Sequence, residues 1–242
     1  MFTEDYYTQS GDSFLFTKQQ GSDFAKRIAG DFNPLHDIGN SRFCVPGDLL
    51  FSVILSKFGI SQEMHFDFQG MVSGDMPIIF NQSAEGVVAQ NDKQKKVLMM
   101  TSSGNRTENS VFIEGLIKAY VAFSGKTFPH IIIKLMKEKG VMINTRKPMV
   151  IYDQMKLSFD RFSDCAPEVA LQECQFDVKG KRGMVTMNFD LRAEGGSIGR
   201  GEKQIIMSGL RPYEQADIDY LVDAYNAGRE AYQGSLLSAH LN

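Results

Sequence analysis

With 242 residues, 43% hydrophobic and 23% charged, the chain has the composition of an ordinary folded protein, long enough for one large core or two smaller ones. A net charge of −3 lacks the basic surplus by which nucleic-acid binding usually shows, so no nucleic-acid partner is expected. Cys44, Cys165 and Cys174 are an odd set without paired ligand spacing, and neither a signal peptide after the acidic start Met1–Asp5 nor a membrane-length apolar run is present; free thiols, no metal, no membrane association and a cytoplasmic location are therefore expected.

Ser13–Phe16 reads as a short strand and Thr17–Ile28 as a helix, with Phe24 and Ile28 four apart. A loop Gly30-Asp31-Phe32-Asn33-Pro34-Leu35-His36 follows. Pro46-Gly47-Asp48 then opens the apolar run Leu49–Phe58, a buried helix closed by Gly59. Phe66 and Phe68, then Pro77–Phe80, Gly86–Val88 and Val97–Met100, are bounded by turn residues and read as strands. Val111, Ile113, Gly115, Ile117, Ala119, Val121 and Phe123 form an apolar face of period two, which predicts a long strand bent at Gly115.

Pro129 and Gly140 enclose Ile131–Met136, a third helix. Strands recur at Met155–Phe159, Cys174–Val178 and Val185–Leu191, the last two joined by a Gly180–Gly183 turn, and the final strand is Gln204–Ser208. Gly195–Gly201 has the wrong glycine spacing for a phosphate loop and reads as a hairpin turn. After Pro212, Glu214–Ala231 is an amphipathic helix with Ile218, Leu221, Val222 and Tyr225 on one side. Helix followed by antiparallel strands, twice, predicts two similar units, residues 1–125 and 126–242, with their sheets side by side.

The chemistry concentrates in the loop. An imidazole titrates near neutrality, and a carboxylate five residues away on a Pro-stiffened turn can orient it or share a water with it. Asp31 and His36 are thus the candidate acid–base pair. Asn33 carries the short amide that braces such turns. Unpaired N–H groups at the start of the apolar helix can hold a carbonyl oxygen as it gains charge, and Gly47 has no side chain in the way. His65, His130 and His240 lack ligand spacing and read as structural or exposed. Thirteen methionines read as core filling. Arg146-Lys147 and Lys179–Arg182 are solvated charge that can also meet phosphates.

Ala29–His36 resembles the signature of the MaoC-like, (R)-specific enoyl-CoA hydratase branch of the hotdog-fold superfamily, and Gln69–Asp75 resembles that family's turn after the central helix; the similarity spans Asp12–Ser124. The resemblance implies an α+β double hotdog, each unit a central helix wrapped by a curved antiparallel sheet, here with an added C-terminal helix. It implies hydration of a trans-2-enoyl thioester by Asp31 and His36, with Asn33 bracing the loop and the Gly47 N–H on the thioester oxygen. No cofactor is implied. The partner would be an acyl-CoA or acyl-carrier thioester, and a homodimer is left open. The second half lacks the motif, so at most one catalytic site per chain is expected, with residues 126–210 walling the acyl channel. Asp48 and the short segment between His36 and Gly47 depart from the pattern. A carboxylate at Asp48 suits the helix dipole but competes with a developing oxyanion. A non-catalytic acyl-CoA-binding or interaction protein and a hotdog thioesterase are the alternatives.

Overall fold

The computed structural model describes residues 1–145 and 148–239. Strands β1 (Thr8–Ser10) and β2 (Ser13–Leu15) form a hairpin, followed by α1 (Lys18–Asp23), whose Thr17 and Gln20 make a reciprocal capping box. The chain continues as a π-helical turn, Phe24–Ala29, and closes on Gly30, which takes the left-handed backbone (φ 65°) needed there. Helix α2 (Gly47–Phe58) buries every residue from Leu49 to Leu55. Strands β3 (Ile60–Phe68), β4 (Ile78–Ser83), β5 (Gly86–Asn91) and β6 (Lys96–Thr107) follow.

Residues Ser110–Gly125 form helix α3, where the period-two apolar face predicted a strand. The buried positions are Phe112, Ile113, Leu116, Ile117, Tyr120, Val121, Ser124 and Gly125. They repeat at three- and four-residue steps, and Asn109 caps the helix by accepting from the Val111 and Phe112 N–H groups. The segment is so apolar that both periods fit it, and the cap decides. The expected division at Gly125 therefore falls at a helix end.

Next come a turn through Thr127–Ile131 and α4 (Ile132–Lys139), with Gly140 at its C-terminal cap as expected. Helix α4 buries only Ile132 and Met136; the helix lying against α2 is α3. Strands β7 (Val141–Met142), β8 (Met149–Phe159), β9 (Glu168–Lys179), β10 (Arg182–Ala193), β11 (Gly196–Ser208) and β12 (Arg211–Pro212) follow, then α5 (Gln215–Ala239).

Ten strands form one antiparallel sheet in the order β1-β2-β4-β5-β6-β3-β8-β11-β10-β9. The halves join where β3 pairs with β8, Met64 opposite Leu157. Helices α2 and α3 lie in one apolar layer with inward residues of both halves, among them Phe51, Phe66, Leu98, Phe112, Leu157 and Phe189. A second cluster gathers α4, α5 and β9–β11 around Met136, Phe176, Met187 and Met207. This is the expected hotdog architecture, of α+β class, with buried helices against one antiparallel sheet and a C-terminal helix. No helix among the described residues is long and apolar enough to cross a membrane.

Candidate functional site

The motif loop is held by its own side chains. Asp31 N–H donates to the Ala25 carbonyl at 2.8 Å, continuing the π turn into the loop. Asp31 Oδ1 accepts from the Asn33 N–H at 2.9 Å, and Asn33 Oδ1 accepts from the Leu35 N–H at 3.1 Å. Asn33 thereby caps a single 3-10 turn, Pro34–His36, with Pro34 at the position where a missing N–H costs nothing. Asn40 Nδ2 donates to the Pro34 carbonyl, and the Cys44 N–H to the Leu35 carbonyl.

This geometry brings Asp31 and His36 together. Asp31 Oδ2 lies 3.7 Å from His36 Nε2, and the side chains are 27% and 12% exposed, so solvent reaches the pair from the carboxylate side. His36 Nδ1 is 2.7 Å from the Cys44 carbonyl oxygen. A carbonyl only accepts, so Nδ1 carries a proton and Nε2 is the nitrogen turned to the carboxylate. The same strand of chain then runs through Val45, whose N–H donates to the Val72 carbonyl, into Pro46 and α2.

Gly47 is the first residue of α2. A Cβ there would meet Phe68 Cε1 at 3.0 Å and Tyr152 Cδ1 at 3.2 Å, because those two rings stack 4.1 Å apart, nearly parallel, across the helix start. The approach to Gly47 is thus covered by aromatic side chains from β3 and β8.

Asp48 is partly exposed as a residue, yet its Oδ1 is sealed from solvent with no hydrogen-bond donor among the described residues. Burial pushes the Asp48 carboxyl above its ordinary range, opposed by the Lys203 charge and the Ser124 hydroxyl, while Asp31 pushes it up and His36 down. Lys203, on β11, is 4% exposed. Its Nζ donates to Ser124 Oγ at 2.5 Å and sits 4.4 Å from the centre of the Tyr152 ring. Burial lowers the Lys203 ammonium, and Asp48 and Asp31 counter it. The Tyr120 and Tyr152 hydroxyls bond each other, and burial raises both far above the ordinary phenol range. Five polar side chains therefore gather near the start of α2: Asp48 from the first half, Ser124 and Tyr120 from α3, and Tyr152 and Lys203 from strands β8 and β11 of the same sheet.

Sequence reading missed four of these five. One signal for Lys203 was present, since it alternates in step with Ile205 and Met207 on the inward face of β11. For Tyr152 no simple alternation existed. Met155, Leu157 and Phe159 point inward, but the register between β8 and β11 shifts at Gln204/Ile205, and this bulge brings Tyr152 opposite Ile205 on the inner face. Tyr120 and Ser124 were concealed by the strand reading of α3. Lys179–Arg182 forms the exposed end of the β9–β10 hairpin. Arg146, Lys147 and His240 lie outside the described residues. Cavities of about 320 and 230 Å³ lie away from the motif, the first lined by Glu63, His65, Thr101 and Lys156, the second by Phe58, Gln82 and Arg106.

The chain belongs to the family described as Protein of unknown function (DUF3581), which matches residues 1–216. No curated protein matches it. Solved structures similar to it include a conserved protein of unknown function with hot dog fold from Alicyclobacillus acidocaldarius, with 10% identity over 88% of this chain and 99% of that one at a TM-score of 0.46. An acyl-CoA thioesterase II, TesB2, from Mycobacterium marinum gives 9% identity over 88% and 100% at a TM-score of 0.42. A MaoC-like dehydratase gives 9% identity over 83% and 97% at a TM-score of 0.39. At such identities no residue role is carried over from them.

Proposed function

We propose that this DUF3581 member acts on acyl thioesters as a MaoC-like hydratase/dehydratase, reversibly adding water to a trans-2-enoyl thioester. The observation that carries this reading is the 3.7 Å approach of Asp31 to a His36 whose other nitrogen is fixed on the Cys44 carbonyl. In the proposed step His36 Nε2 takes a proton from a water held by the Asp31 carboxylate as the water oxygen bonds to C3. Electrons move to the thioester oxygen, which the Gly47 N–H receives at the start of α2. The imidazolium then returns the proton to C2, so one water is added across the double bond and both side chains regain their starting state. The thioester enters by displacing the Phe68 and Tyr152 rings from the helix start.

The division between the two units is proposed near Gly125, at the C-terminal end of α3. A cytoplasmic location remains part of the proposal, resting on the sequence alone, and a homodimer is left open as it was by the sequence.

The test is hydration of crotonyl-CoA by the purified protein, followed by loss of the enoyl absorbance. His36→Ala and Asp31→Ala are each expected to lower the rate by about a hundredfold or more. Equal rates in wild type and both variants would remove the proposed roles, and release of free thiol would identify hydrolysis instead. One observation favours a second reading. The stacked Phe68 and Tyr152 rings crowd Gly47 on its Cβ side, which suits a protein that binds acyl thioesters without turning them over. That reading predicts thermal stabilisation by acyl-CoA with no hydration.

A further inference from the structure

We infer that Tyr225 of helix α5 is a positioning residue for the acid–base pair, fixing where the Asp31 carboxylate stands relative to the His36 imidazole. The inference rests on the hydration reading above and adds the device that sets the geometry of its two reacting groups.

The sequence of α5 arranges the contact. Ile218, Tyr225 and Tyr232 recur every seven residues, about two helical turns, and so share one face. Ile218 and Tyr225 are buried, whereas Tyr220 is 71% exposed. The peptide unit between Gly30 and Asp31 is gripped at both ends. Its N–H donates to the Ala25 carbonyl at 2.8 Å, and its oxygen accepts from the Tyr225 hydroxyl at 3.1 Å. On the other side of Asp31, the buried Phe32 ring lies edge-on to Tyr225 and Tyr232, at 5.8 and 5.9 Å. Asp31 therefore stands between two residues held by the same tyrosine, one by its hydroxyl and one by its ring. Phe128, from the turn between α3 and α4, meets Tyr225 edge-on at 5.6 Å and backs it. Arg27 Nε donates to the Tyr232 hydroxyl at 2.9 Å, and Lys26 Nζ lies over the Tyr232 ring. Burial first, and the Asp31 charge second, raise the Tyr225 hydroxyl above the ordinary phenol range, so it stays a donor at neutral pH.

The imidazole is anchored elsewhere. His36 Nδ1 is held at 2.7 Å by the Cys44 carbonyl, on the stretch that runs into α2, and the Cys44 N–H donates to the Leu35 carbonyl. The 3.7 Å between Asp31 Oδ2 and His36 Nε2 is thus a gap between two separately held groups, one fixed by α5 and the other by the segment before α2. Misplacing a reacting group by about 1 Å can cost on the order of a hundredfold in rate. Tyr225 sets one side of that gap without touching substrate. Loosening it moves the carboxylate and leaves the imidazole and the Gly47 N–H in place.

The experiment measures crotonyl-CoA hydration by the full-length protein and its Tyr225→Phe, Tyr225→Ala and Tyr220→Phe variants, each alone and combined with Asp31→Ala. Tyr225→Ala is expected to lower kcat about tenfold with KM changed less than about twofold, Tyr225→Phe to lower it about threefold, and Tyr220→Phe to leave it unchanged. With Asp31 already removed, Tyr225→Ala is expected to cost nothing further, because the group it places is gone. Equal kcat in wild type and Tyr225→Ala overturns the positioning role. So does an undiminished loss in the Asp31→Ala background, which is what a merely structural tyrosine gives. Should Tyr225→Ala fail to fold, Tyr225→Phe is read in the same way. If the wild type hydrates no crotonyl-CoA, the hydration reading falls by itself, and the placement of Asp31 is read from amide exchange in Tyr225→Phe. Faster exchange at Asp31 and Asn33 with Cys44 unchanged sustains the placement, and an equal change, or none, at all three overturns it.

Discussion

The Tyr225 hydroxyl, on the C-terminal helix, donates a hydrogen bond at 3.1 Å to the carbonyl of Gly30, the residue before Asp31. The contact links chain positions 195 residues apart. Phe32 packs edge-on against the rings of Tyr225 and Tyr232, at 5.8 and 5.9 Å, and Arg27 Nε donates to the Tyr232 hydroxyl. Helix α5 thus clamps the segment from the π turn to the motif loop. Tyr225→Phe should cost about 1 kcal/mol of stability in urea denaturation, the ordinary worth of one such bond. Tyr225→Ala should in addition speed amide hydrogen exchange in residues 30–36 more than in β9–β11. Uniform changes across the chain would refute the clamp.

Gly125 sets the depth at which α3 crosses that same segment. A Cβ there would overlap the Ala29 carbonyl oxygen and stand 3.4 Å from the Asp31 nitrogen. Backbone cannot move aside as a side-chain end can, so Gly125→Ala should cost about 3 kcal/mol or more, or abolish soluble expression. Gly228 in α5 has nothing within 4 Å; Gly228→Ala should raise stability by about 0.5–1 kcal/mol. Thermal unfolding of the two variants beside wild type checks both signs.

The Asp48–Lys203 pair makes stability depend on pH in a definite direction. The Asp48 carboxyl stands above its ordinary 3.8 in the folded chain, so the unfolded chain ionises first as pH rises. Its favourable contribution is present below that value and is lost as pH climbs through the folded one. Lys203 stands below its ordinary 10.5; its contribution is present above 10.5 and is lost as pH falls through the folded value. Removing one partner strands the other, so Lys203→Met should cost about 3–5 kcal/mol near neutrality. That loss should shrink as pH falls into the range, raised by burial, where the Asp48 carboxyl takes up a proton. Urea denaturation across acid to neutral pH checks this, and a loss that stayed constant would deny the coupling.

The three thiols should react unequally. Cys165 is exposed, whereas burial pushes the Cys44 thiol up and the Cys174 thiol to about 11. Only thiolate reacts, so iodoacetamide at neutral pH should label Cys165 first, with Cys44 and Cys174 following only on unfolding. Peptide mapping by mass spectrometry reads the order, and early labelling of Cys174 would contradict its burial.

Much of this was legible locally. The alternation of Met155, Leu157 and Phe159 gave a strand, Gly180–Gly183 gave its turn, and the run after Pro46 gave a buried helix, because period and turn chemistry act over a few residues. The proximity of Asp31 and His36 was equally local, five residues apart on a loop that Asp31, Asn33 and Pro34 fold by themselves. The segment 111–123 was misread, since apolar residues at nearly every position satisfy both a strand and a helix, and the Asn109 cap that decides between them went unread.

By itself, then, the sequence determined the element types of its amphipathic segments, the order helix-then-strands repeated twice, and the loop carrying the carboxylate and imidazole. Only the tertiary structure decided what stands behind that loop: the Phe68–Tyr152 stack over Gly47, the burial of Lys203 against Ser124 across 79 residues, and the brace from Tyr225. Backbone propensity is written in short windows. Burial of a charge and stacking of two rings depend on which distant strands meet, and here a bulge in β8 and the pairing of β3 with β8 decide that.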